Sequence, residues 1–233
     1  IAGLGAGAGN VSFGASIDTG GGRLAKSGQN LSGTALVQVI TSGGAIDGVF
    51  TGTLGSSGSD FSTSGGPFSL TASGGGAFNW NVTTSGGLIA LNANAAAAVL
   101  TVNGRLDARL GAGAGSVSVR AANGTLSVPA AGALRSGPAG TVTARALNGV
   151  SIGGTVAGGS LLVEATGGPA NLEILPGSSV AATAPATLRA GNHVTISPVL
   201  PVSGGITLVA DANGDGLGDA VLLQPVVTQN TPV

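Results

Sequence analysis

Apolar residues recur at alternate positions in short runs, and the runs themselves repeat along the chain. They begin at Val11, Val37, Phe68, Ile89, Val117, Val142, Leu161, Ala186 and Ile206. Two residues on stand Phe13, Val39, Leu70, Leu91, Val119, Ala144, Val163, Leu188 and Leu208. Four residues on, eight of the nine positions are alanine (Ala15, Ala72, Ala93, Ala121, Ala146, Ala165, Ala190 and Ala210), and Thr41 is the exception. A period of two places all three positions on one side of a β-strand. The runs return at steps of 26, 31, 21, 28, 25, 19, 25 and 20 residues. A supersecondary unit recurring at that length builds a solenoid, propeller or array.

Residues 140–159 show one unit clearly. Val142 and Ala144 point one way, Thr143 and Arg145 the other. Asn148-Gly149 signals a turn, Val150 and Ile152 make a second short strand, Gly153-Gly154 turns again, and Val156 opens a third. The same order follows the other runs: Leu126 and Val128; Leu172, Ile174 and Val180; Val194, Ile196 and Val199; Val221 and Leu223. A small inward residue fits where a strand ends and the chain turns a tight corner. These features predict an all-β fold, a parallel β-solenoid of about nine rungs with two or three strands per coil, the rungs about 4.8 Å apart. The apolar window Asn94 to Ala98 is too short for an isolated helix.

All six aromatic rings lie before residue 81, and six of the seven arginines lie at or after Arg105. The expected organisation is therefore wider, irregular coils over 1–84, regular coils over 85–223, and a tail or linker over 224–233, within one continuous solenoid. The GAGAG stretches Gly5 to Gly9 and Gly111 to Gly115 read as corner turns.

Composition narrows the function. Charged residues make up 7% of the 233 and the net charge is −1, which gives no electrostatic footprint for nucleic acid. There is no cysteine, so disulfides and thiolate sites are excluded. No apolar run is long enough for a membrane-spanning helix.

Three features carry candidate chemistry. Asp211, Asn213, Asp215 and Asp219 fall in D-x-N-x-D-G-x-x-D, the oxygen-bearing positions of a calcium loop, although Leu222 stands where the closing acid belongs. The alternative reading is an acidic glycine-rich turn. In register, Arg120, Arg145, Glu164 and Arg189 form an outward ladder, either a solvated charge stripe or a site for an acidic or sulfated glycan. His193, the only histidine, sits in a turn with no nucleophile motif near it in sequence, so catalysis is not expected.

The segments GSVSVRAANGTLSV, GTVTARALNGVSIGGTVAGG and GGITLVADANGDGLGDAVLL resemble secreted bacterial exoproteins of the filamentous-haemagglutinin type. The resemblance covers most of residues 85–223. It implies a right-handed β-helix located outside the cell or on the bacterial surface, working as an adhesin stalk or matrix element with a glycan or host-surface ligand. The chain would then be a fragment of a longer exoprotein or a small relative. Two alternatives stand beside it. One is a subunit that self-associates, end to end or laterally, into an extracellular fibre. The other is a polysaccharide-degrading enzyme.

Overall fold

A computed structural model describes residues 9–33, 37–55, 59–109 and 114–229. Among them there are only strands and turns, and every strand pairing is parallel. One coil illustrates the path. Thr141–Ala146 lies on a first face, Gly149–Ile152 on a second and Thr155–Gly158 on a third, and Ser160–Ala165 returns to the first face one rung on. The chain is a β-solenoid of about nine turns with three strands per full coil.

Each face contributes an inward column. On the first face, Leu24, Ile46, Phe68, Ile89, Val117, Val142, Leu161, Ala186 and Ile206 stand in register. On the second stand Leu100, Leu126, Val150, Leu172 and Val194. On the third stand Ile17, Val39, Phe61, Val82, Leu106, Leu134, Val156 and Val180. Together they form one continuous core. Burying apolar side chains of this size contributes about 1.5–3 kcal/mol each relative to exposure. The rings pack together within the part of that core built by residues 13–80. Phe61 packs at 5.0 Å from Trp80 and 5.3 Å from Phe68, and Phe78 packs at 5.0 Å from Trp80.

Seven of the nine expected first-face stations hold, and the alanines from Ala72 to Ala190 are buried in register. Val11 and Val37 do not belong to this column. Val11 pairs with Leu31, which bridges to Leu54, and Val37 precedes the third-face strand Gln38–Ile40. Ala15 is exposed. The true stations are Leu24 and Ile46, so the first coils run 22, 22 and 21 residues from Leu24 to Ile89. Two residues conceal them from a periodicity search. Lys26 occupies an inward phase. Gly48 has no side chain because a Cβ there would lie 2.6 Å from Leu70 Cδ2 and 2.7 Å from Phe50 Cε2.

Two phases shift near the other end. Leu200, not Val199, is the buried third-face residue, and Leu222, not Val221 or Leu223, continues the column of Ile196. Residues 226–229, expected in the tail, pair with Leu200–Ser203 as a further third-face rung. The first-face and third-face ladders cross residues 84–85 without a break. Residues 230–233 and most of both GAGAG stretches lie outside the described residues.

The corner between the third and first faces explains the regular spacing. Thr-Ser-Gly-Gly recurs at 41–44, 63–66 and 84–87. Thr41, Thr63 and Thr84 are buried, and their hydroxyls donate to the carbonyls of Gly44, Gly66 and Gly87. The following serines turn the chain at φ of 47, 50 and 48°. The last glycine of each motif then passes under the preceding coil. A Cβ on Gly44, Gly66 or Gly87 would lie 2.3 Å from the carbonyl oxygen of Gly22, Gly44 or Gly66. No side chain fits, and backbone on both sides leaves little to yield.

Gly66→Ala should therefore lower unfolding stability by roughly 3 kcal/mol or more. Gly14→Ala, with nothing within 4 Å of its Cβ, should change it by less than about 0.5 kcal/mol. Chemical denaturation of the two variants checks this; equal midpoints would refute the close-packed corner.

Candidate functional site

An outward residue on a solenoid stands beside its register partners on neighbouring rungs. Arg120, Arg145, Glu164 and Arg189 meet in this way on the first face, as expected. Arg145 Nε lies 2.6 Å from Glu164 Oε2. Glu164 is not the solvated member of a stripe, since the residue is only 8% exposed. Arg120 and Arg189 flank this pair and have no ion-pair partner among the described residues.

The acidic loop is built by its own backbone. Asp211 sits at φ 55°. Its Oδ1 accepts from the Asp215 N–H at 2.9 Å and its Oδ2 from the Gly216 N–H at 3.0 Å. Asp215 accepts from the Leu217 N–H at 2.9 Å and from the Asn213 side-chain amide. The Leu217 N–H first, then Asn213, hold the Asp215 carboxyl below the usual carboxylate range. Asn213 also donates to the Gly168 carbonyl at 3.2 Å, tying the loop two coils back. Asp219 turns towards His193. Its N–H donates to His193 Nδ1 at 3.1 Å, and its carboxylate is 3.8 Å from the same nitrogen. The loop thus joins Asp211, Asn213 and Asp215, while Asp219 faces the histidine. Among the described residues no three acidic, histidine or cysteine side chains converge as a metal site. His193 Nδ1 is the acceptor of that bond.

A further ionic cluster lies on the third face. Asp107 is 1% exposed, with Arg105 on the same outward side of the strand Arg105–Asp107 and Arg109 just beyond the strand. Arg105 Nε donates to Asp107 Oδ2 at 2.9 Å, and a second Arg105 nitrogen bonds the same oxygen. Arg109 Nε donates to Oδ1 at 3.0 Å, Arg109 Nη2 to Oδ2 at 2.8 Å, and the Arg109 N–H to Oδ1 at 3.0 Å. Burial alone would raise the Asp107 carboxyl, but the hydrogen bonds from Arg109 and Arg105 outweigh it and hold the group well below the ordinary range. On the next rung Arg135 stands in register with Asp107, and its Nε is buried without a hydrogen-bond partner. The sequence signal was the R-x-D-x-R spacing: Arg105 and Asp107 share the outward side of a strand, and Arg109, just beyond the strand, bonds back to Asp107.

Searches among protein-family models, curated proteins and solved structures found no match to the chain.

Because the folded-state value of Asp107 is depressed, its contribution is complete above the unfolded value near 4 and is lost as pH falls below it. Asp107→Asn should cost roughly 1.5–3 kcal/mol at pH 7, discounted towards the lower figure because both arginines are about half exposed. The difference should shrink below about pH 4; a pH-independent difference in urea midpoints would refute the ionic account. For the acidic loop, Asp211→Ala should lower the thermal midpoint equally in calcium and in chelator, since backbone N–H groups satisfy the carboxylate. A difference confined to calcium would assign the loop a metal.

Proposed function

We propose that this chain is a structural β-solenoid working outside the cell or on a bacterial surface, as a segment of an adhesin stalk or matrix element rather than as an enzyme. The observation that carries this reading is the continuity of the three inward columns and their parallel ladders over the described length. Such a rod sets a fixed distance and presents repeated side chains along straight lines.

End-to-end self-assembly is a second reading, favoured by the exposed apolar residues of the last coil. Leu217 is 71% exposed, Leu223 59%, Leu222 48% and Val227 43%. Against it, Lys26 occupies an inward phase on the first described rung of the first face, in register with Gly48, and interrupts the apolar column at that level.

Negative-stain electron microscopy of the purified protein should show discrete rods, roughly 40 Å long for nine rungs at the spacing of stacked strands. Filaments of indefinite length would establish the assembly reading in its place.

A further inference from the structure

The outward side of the third face carries two hollows, one on each side of the arginine cluster. The first, about 560 Å³, is lined by Gln38, Asp60, Ser62, Asn81, Thr83 and Arg105 among others. The second, about 360 Å³, has a floor of Ala157, Gly158 and Ala181 with Arg109, Thr183 and Ser203 around it. Arg105 borders one hollow and Arg109 the other, and Asp107 holds both guanidinium groups. The hollows and the cluster therefore form one track parallel to the axis.

The polar groups of this track are held in place before any ligand arrives. Gln38, Asp60 and Asn81 stand in register on successive rungs. Asn81 Nδ2 donates to Asp60 Oδ1 at 2.9 Å, and Asn81 Oδ1 accepts from the Arg105 N–H at 3.1 Å. Each guanidinium uses Nε and Nη2 on Asp107, which leaves both Nη1 groups directed elsewhere. With Arg135 beside them, three cations surround one anion, so the middle of the track retains a net positive charge. Fixed donors of this kind lose little entropy on binding.

We propose that the third face binds a linear, uronate-bearing polysaccharide lying along the solenoid axis, with a carboxylate seated over Arg105, Arg109 and Arg135. Arginine forks match a planar carboxylate, and the amide, hydroxyl and carboxylate stations at rung spacing match the hydroxyl groups of consecutive sugars. Nucleic acid fits poorly, because every aromatic ring among the described residues is buried and none is offered for base stacking. The lack of an exposed ring also keeps the affinity per sugar low, so binding grows with chain length as successive stations engage. The inference goes beyond the stalk reading and stands whether or not the rod is a spacer, since rod length and carbohydrate binding are read separately.

The test is affinity electrophoresis of the folded protein through native gels containing alginate, with dextran as the neutral polymer. Alginate should retard the protein, salt should weaken the effect, and dextran should have none. Ala157→Trp and Ser62→Trp, which fill one hollow each and leave Asp107 paired, should raise the apparent dissociation constant at least tenfold. Arg135→Gln should do the same, with circular dichroism confirming the fold of each variant. Arg120→Gln combined with Arg189→Gln, on the first face, should leave retardation unchanged. No retardation by alginate, equal retardation by dextran, or loss of binding only in the first-face variant would each overturn the proposal.

Discussion

The constraint on which the structure rests is the distance of closest approach between backbones at the corner from the third face to the first. A parallel ladder holds rungs about 4.8 Å apart, and the turning chain must pass under the carbonyls of the preceding coil at that spacing. Gly44, Gly66, Gly87, Gly115 and Gly140 do so in succession, each with no room for a Cβ where it meets the coil before it. Each stands two residues before a first-face station, so the corner sets the phase of the strand that follows. The apolar columns can form only because the backbone has already been placed in register.

This hierarchy explains what was legible in the sequence. Alternation identified the inward side of nearly every strand, and from Phe68 onwards it identified the register as well. It could not say which of three faces a strand occupies, because Val11-Ser-Phe13 and Gln38-Val39-Ile40 alternate as well as any first-face strand does. The Thr-Ser-Gly-Gly motif carried that information. Its positions, 41, 63 and 84, differ by the coil length, and its buried threonines mark the corner. Polar residues at inward phases, such as Lys26 and Thr41, are invisible to a search for hydrophobic periodicity.

Candidate sites were legible where they depended on local spacing. The acidic loop and the arginine ladder are contiguous in sequence or repeat with the coil. The third-face track is neither. Gln38, Asp60, Asn81 and Arg105 align only once the coil lengths of that face are known, and the burial of Asp107 depends on both neighbouring arginines folding over it. Three of the nine acids lie in the loop at 211–219, while Asp47, Asp107 and Glu164 are each paired with arginines.

Coils that contact mainly their neighbours give the molecule an unusual response to tension. If its ends were pulled apart, the load would fall on the outermost ladder, whose hydrogen bonds would open in sequence while the inner rungs stayed shielded. A released coil of 22 residues, the span from Leu24 to Ile46, would add up to about 75 Å of extended chain. The rod would lengthen in steps, keeping its remaining surface intact as slack is paid out one winding at a time.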